Sequence, residues 1–343
     1  MTIARASRPT PLSRVWAGDK IVAEDLTGED LSDVLELNSR ASAWWVLPRD
    51  DHYASAEMRD VAKALDLDRL AVKDLLADDH RAKFEAVGQA RLVMTSAVAL
   101  DPVTFTLEVH PVSIVVTDRA LICLLAPNPD FHLAGMLAQE EQALAAGGVE
   151  LGLQLVLGAV IRTYEAAVAI LEDASDDLAD VLFEERPLNK PEQLRAFRMR
   201  TALSQLRRRT EPMRTVMDDL VAHPARGKGQ KDTAIDGTTL ARRWVMLAEQ
   251  QKRVANAADA LREALSSVFD TSLALADLHW NQIMKKLTGW AAIIAVPTLV
   301  TSFVGMNVSF PLAGTAVGFW LYLALMVAAA LVLFGIFRGK DWI

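Results

Sequence analysis

The residues best suited to handling a charged solute form one stripe near the C-terminus. Asp270, Asp277, Met284, Ala291 and Thr298 recur every seven residues. Asn281 lies four after Asp277, and the same step from it gives Thr288, Ala295 and Ser302. Leu287 lies three after Met284, and the stripe runs out at Gly305-Met306-Asn307. Spacings of three, four and seven keep these residues on one side of an α-helix. Several such helices around an axis would stack them as rings. Rings of Asp270 and Asp277 would hold cations. Met284 and Leu287 would form an apolar constriction able to gate by expelling water. Ala291, Ala295, Thr298 and Ser302 would leave room along the axis. At the far end, the side-chain oxygen of Asn307 and the carbonyl of Gly305 could accept hydrogen bonds from the water shell of a small, reluctantly dehydrated divalent ion. Gly305 would let the chain turn there. The plainer alternative is that Asp270 and Asp277 simply face solvent on a helical stalk.

Two uncharged runs would position this stripe, Leu287 to Val304 and Ala316 to Phe337. Each is long enough to cross roughly 30 Å of hydrocarbon as a helix. Lys285 and Lys286 precede the first, Arg338 and Lys340 follow the second, and the connector 305–315 carries no charge. The bias of basic residues predicts cytoplasmic N- and C-termini and an outer position for Gly-Met-Asn. Leu240 to Val304 reads as one helix, near 100 Å if unbroken at about 1.5 Å per residue. Its part 240–286 would be a stalk. A single hairpin cannot enclose a pore, so several copies are required.

Thr288 to Val308 (TGWAAIIAVPTLVTSFVGMNV) and the tail Phe337 to Ile343 (FRGKDWI) resemble the C-terminal membrane hairpin of the CorA magnesium transporter family. Leu70 to Leu76 followed by Asp78 to Glu85 is similar to that family's L-x-x-E-D-L-L and Q-R-P-K-x-E stretch, with Lys73, His80 and Ala82 replacing Glu, Gln and Pro. Trp45 to Pro48 is similar to its W-[IV]-D-L strand without the Asp. The resemblance implies an α/β cytoplasmic domain, a long stalk helix and two C-terminal transmembrane helices in a funnel-shaped homopentamer of the inner (plasma) membrane. It implies passage of Mg²⁺ to the cytoplasm, with Co²⁺ or Zn²⁺ as further ions, and a selectivity filter of Gly305, Met306 and Asn307. A proton-coupled zinc transporter of the same superfamily, or a membrane-tethered scaffold that conducts nothing, are the competing readings. Relatives also suggest a regulatory Mg²⁺ between subunits. Asp74 matches one of its carboxylates, but Met246 stands where the other is expected, with Glu249 three residues on. The outer segment Val308 to Thr315 lacks the acids that importers of the family often carry there.

In the rest of the 343 residues, 1–15 read as a flexible tail and 16–145 as the α/β domain. Ala43 to Leu47, Ala90 to Leu100, Phe105 to Val116 and Ala120 to Leu125 read as strands, with a tight turn at Asp118-Arg119. Ala56 to Leu65 and Arg69 to Leu76 read as helices capped by Ser55 and Asp68. A helical hairpin fills 146–239, from Val149 to Phe183 and from Glu192 to Leu220, with Pro212 expected to kink or split the second arm. Residues 305–315 form the outer loop and 338–343 a basic tail.

The net charge of −8 offers nothing to nucleic acid. The lone Cys123 excludes a disulfide framework. The N-terminal arginines 5, 8 and 14 lack the apolar core of a secretory signal. His52, His80, His110, His132, His223 and His279 show no metal-ligand spacing, and no catalytic constellation or phosphate loop is present, so no enzyme activity is expected. The partners expected are copies of the same chain, divalent cations and membrane lipids.

Overall fold

The computed structural model describes residues 12–17, 20–38, 41–49, 56–60, 69–77, 81–88, 90–125, 131–222, 237–306, 312, 315–340 and 342. The chain divides into two compact units, residues 1–178 with 190–266 and residues 179–189 with 267–343.

The first unit is built on a mixed sheet. Among the described residues it has seven strands, β1 (Ser13–Ala17), β2 (Lys20–Glu24), β3 (Ala41–Pro48), β4 (Lys83–Val87), β5 (Ala90–Leu100), β6 (Leu107–Val116) and β7 (Ala120–Leu125), in the order β2-β1-β3-β7-β6-β5-β4. Only β3 and β7 run parallel, with Trp44 opposite Leu121 and Trp45 opposite Ile122. The expected turn at Asp118-Arg119 joins β6 to β7, where the Thr117 N–H donates to the Ala120 carbonyl at 2.8 Å. β1 begins at Ser13, inside the stretch read as a tail. Ser13 is buried, and its hydroxyl accepts from the Leu26 N–H at 2.7 Å, which ties that stretch into the sheet.

Successive side chains of a strand point to opposite faces, and here both faces are covered. Trp45, Leu47, Met94, Ile122 and Leu124 share one core with Met58 of the helical residues 56–60 and with Ala71 and Leu75 of α2 (Arg69–Leu76). Val34 and Leu35 of α1 (Gly28–Leu37) pack against it. Thr27 caps α1, its hydroxyl oxygen accepting from the Asp30 N–H at 3.3 Å. Ser55, Asp68 and residues 61–65 lie outside the described residues.

The opposite face meets long helices. After α3 (Leu133–Gln139), α4 (Glu141–Phe183) is two helical pieces joined at Gly148, whose φ of 63° and ψ of −162° suit glycine. A Cβ on Gly152 would stand 2.7 Å from a Leu121 methyl, so the second piece lies hard on β7. The Tyr164 hydroxyl donates to the Ser96 carbonyl at 2.6 Å, and burial raises its pKa to about 12. α5 (Lys190–Ala222) runs through Pro212 without splitting and packs on β4, β5 and β6. A split would have exposed the stripe of Met199, Leu206, Met213 and Leu220, all buried.

The last helix of this unit is the N-terminal part of α6 (Gly237–Val304), 68 residues without interruption. Leu240, Trp244, Gln251, Ala255, Ala258, Leu261 and Leu265 are buried at helical spacing. Two amides tie it down. Gln154 donates to the Leu240 carbonyl at 2.9 Å, and Gln251 donates to the Thr210 carbonyl at 2.7 Å. Nearby, the buried Glu150 carboxylate takes both the Arg91 guanidinium and the Trp244 indole N–H, the latter at 2.8 Å. Sheet, α4 and α6 are thus joined through one carboxylate.

The second unit holds the remainder of α6, α7 (Ala316–Gly339) and the turn 184–189. Ser272 of α6 accepts there from the Leu188 N–H at 3.0 Å. Among the described residues three helices are long and apolar enough to span a membrane; the apolar window within 147–183 is 61% buried inside the protein, whereas those of α6 and α7 are 6% and 0% buried. The first is therefore a core helix, and α6 and α7 are the ones left to meet lipid.

Removing the Glu150 carboxylate leaves a largely buried guanidinium without its charge partner. Glu150→Ala should lower the stability of the full-length protein by about 3–5 kcal/mol, while Arg91→Met with Glu150→Leu should cost far less. Thermal unfolding of detergent-solubilised protein checks this. Equal losses for the two variants would mean that the carboxylate does not hold the three elements together.

Candidate ion pathway

The stripe read from the sequence lies on α6, and the structure leaves it open. Asp270, Asp277, Asn281, Met284, Leu287, Ala291, Ala295, Thr298 and Ser302 are all exposed, as are Gly305 and Met306 just beyond the helix. Met284 and Leu287 are 54% and 61% exposed, high values for large apolar side chains. From Asp277 to Thr288 the helix is exposed all round, and a covered side begins at Gly289. Gly289 is buried and Ile293, Val296, Val300 and Val304 are half-buried. Beside them Trp290 meets Phe334 of α7 with ring centroids 6.4 Å apart. At about 100° per residue the stripe stands roughly 150° around the helix from this α7-facing side.

Pro297 sits inside α6 without ending it. Proline has no N–H to give and crowds the preceding turn. The hydroxyls nearby bond within their own helix, though not to the Ile293 carbonyl that the missing N–H would have served. Thr298 donates to the Ile294 carbonyl at 2.9 Å, and Thr301 to the carbonyls of Pro297 and Thr298, each at 3.0 Å. Such internal bonding matters where no water can serve the backbone.

Gly305 begins the turn that follows α6, and it does so without a left-handed conformation, a region that among the described glycines holds Gly88 and Gly148. Its N–H donates to the Thr301 carbonyl at 2.9 Å as a further helical step. A Cβ there would lie 3.1 Å from the same carbonyl oxygen, so the tight last turn is what favours glycine. Asn307 lies outside the described residues, as do 308–311, 313 and 314. On the return, Leu312 has a φ of 64°. The Thr315 hydroxyl donates to its carbonyl at 2.8 Å and accepts from the Gly318 N–H at 3.1 Å, which caps α7. A Cβ on Gly318 would collide with the Leu312 carbonyl, so the return turn closes directly on the helix.

In the first unit, Asp74 on α2 is not a free carboxylate. Lys83 of β4 lies 3.2 Å from it and 2.7 Å from Glu85. Those two partners, Glu85 first, raise the Lys83 pKa and keep it charged at neutral pH. Met246 is 63% exposed on α6, and Glu249 pairs with Lys252 at 3.4 Å. Among the described residues no three His, Cys, Asp or Glu side chains are grouped to hold a metal ion. The sequence reading missed the Lys83 ion pair. Its signal was present: Lys83 and Glu85 alternate on one strand face, directly after the acid-bearing helix.

A profile of the family described as CorA-like Mg²⁺ transporter protein matches residues 43–338. The chain belongs to the CorA-like Mg²⁺ transporter family. It is accordingly a membrane transporter of divalent cations, from a family of transporters and not of enzymes. It is 22% identical over 320 residues, 92% of this chain and 87% of the other, to the cobalt/magnesium transport protein CorA of Thermotoga maritima. A shorter match, 47% identical over 83 residues, covers 24% of this chain and 26% of the cobalt/magnesium transport protein CorA of Methanocaldococcus jannaschii. The complete structure of the CorA magnesium transporter from Methanocaldococcus jannaschii superposes with a TM-score of 0.73 at 21% identity, covering 98% of this chain and all of the other. That likeness establishes the fold expected from the sequence: an α/β domain, a long helix and C-terminal apolar helices.

Proposed function

We propose that this CorA-family protein takes Mg²⁺ into the cytoplasm through the central pore of a homopentamer in the plasma membrane. Residues 287–304 and 316–337 are its two spans, and both termini are cytoplasmic. The observation that carries the reading is the exposure of the stripe from Ala291 to Ser302 on the side of α6 turned away from α7, continued by the exposed Met284 and Leu287. Large apolar groups such as Met284 and Leu287 stay uncovered in one chain because copies of the chain cover them. Asp270 and Asp277 then ring the cytoplasmic mouth, Asn281 follows, and Met284 and Leu287 form the constriction. Ala291, Ala295, Thr298 and Ser302 line the upper bore, and Gly305, Met306 and Asn307 form the filter. Co²⁺ and Zn²⁺ are the competing cargoes. Flux into proteoliposomes with Mg²⁺, Zn²⁺, Co²⁺ and Ni²⁺ in turn ranks them, and no flux of any ion would leave a tethered scaffold.

Three substitutions test the assignment of residues. Asn307→Ala should abolish selective uptake and leave the oligomer intact on size-exclusion chromatography. Normal uptake by the assembled variant would remove Asn307 from the filter. Small side chains at the constriction, Met284→Ala or Leu287→Gly, should raise the leak current in planar bilayers. An unchanged leak would place the gate elsewhere.

Inhibition by cytoplasmic Mg²⁺ should be weak. Asp74 is already paired with Lys83, and a thioether at Met246 is a poor ligand for a hard cation. Lys83→Met, which frees the carboxylate, should strengthen inhibition when uptake is measured against internal Mg²⁺. Steep inhibition in the wild type that vanishes in Asp74→Asn would show a working site and overturn this view of Met246.

A further inference from the structure

Four cations meet at one end of the α6–α7 hairpin. The Trp290–Phe334 ring contact fixes the antiparallel register of the two helices. Moving four residues from that pair along each helix, in opposite directions, brings Lys286 level with Arg338. Lys285 lies beside them and Lys340 just past the end of α7. All four are exposed, and among the described residues none has an ion-pair partner. α6 carries no acid after Asp277, and α7 carries none at all. Asp341 lies outside the described residues.

The cations do not sit on the pore stripe. At about 100° per residue, Lys285 and Lys286 flank the α7-facing side of α6. Their charges therefore gather beside the end of α7, at the level where the apolar spans begin. The helix end beside them is shaped as well. The Trp342 N–H donates to the Phe337 carbonyl at 2.9 Å and the Lys340 N–H to the same oxygen at 3.2 Å, which folds the chain back over the last turn of α7. The Trp342 ring then stacks on Phe337, with centroids 5.5 Å apart and planes 6° from parallel. An indole held flat at a helix end is suited to the headgroup level of a bilayer. The stems of Lys285 and Lys286 are long enough to lie along the apolar helix and place their charges in the same layer.

We propose that Lys285, Lys286, Arg338 and Lys340 form a site for the phosphate of an anionic phospholipid of the cytoplasmic leaflet, with Trp342 packed at the glycerol–acyl boundary. The occupant is a lipid and not a soluble anion because the site opens where two uncovered apolar helices end. The inference rests on the membrane placement proposed for α6 and α7, but not on conduction or on the ion carried.

The test uses the full-length protein in nanodiscs made from equal amounts of phosphatidylcholine and phosphatidylglycerol. After extraction into detergent, native mass spectrometry counts the lipids retained. Wild-type protein should keep phosphatidylglycerol in clear preference. Each basic residue removed should weaken the preference by about fivefold, the factor a single basic side chain contributes near an anionic surface. Lys285→Ser, Lys286→Ser, Arg338→Ser and Lys340→Ser combined should abolish it, and Lys286→Arg should keep it. Equal retention of the two lipids by wild type, or an unchanged preference in the combined variant, would overturn the proposal. So would displacement of the lipid by inorganic phosphate at matching concentration, which would mark a plain anion site. No ion gradient is present, so a negative result here is separable from a failure of transport.

Discussion

Hydrocarbon offers the backbone no hydrogen-bond partner, and α6 has to satisfy that condition without giving up its hold on a water-soluble domain. The two demands are met in different parts of one helix. Up to Leu265, residues at helical spacing are buried against the rest of the first unit, and glutamine amides and an indole bond across to it. From Leu287 to Val304 the helix has no charged residue and keeps its polar groups to itself. Pro297 tests the arrangement most severely, because it removes one rung of the ladder. The helix nevertheless runs on through it, and the nearby threonine hydroxyls bond back to carbonyls of the same helix and so need no outside partner. Glycine rather than a larger residue at position 305 follows from the same close-wound geometry.

The parts of the fold legible in the sequence are those in which burial writes a period into the residue types. β3, β5, β6 and β7 occupy the interior of the sheet and read as apolar runs. β2 and β4 are its two edges, and they escaped notice because edge strands carry charge: Lys20 and Glu24 in one, Lys83 and Glu85 in the other. β1 was hidden for another reason. It is short and follows a Pro- and Arg-rich stretch, and its place is fixed by a serine hydroxyl and by pairing with distant strands. Thr27 with Asp30 was an available signal for α1.

The stripe on α6 was legible because spacing alone puts residues on one side of a helix. What periodicity could not say is which side is covered. That needed Gly289 and the Trp290–Phe334 contact, which depend on a second helix returning from the far end of a loop. Asp74 shows the opposite case. Its position was readable, but its ion pair depended on Lys83, a residue on the next strand whose partner no spacing rule names. The Trp342 stack likewise comes from the way the chain doubles back past α7.

An unbroken α6 also has a phase. From Ser272, which accepts from the Leu188 N–H, to Val304 no described residue leaves the helical conformation. The directions in which Asp277, Met284 and Ser302 point are therefore counted off from one another residue by residue. One residue inserted between Asp277 and Met284 would turn everything beyond it by about 100° relative to the acid, whereas seven would return it to within about 20°. Length in this segment is thus open to change only in near-whole periods.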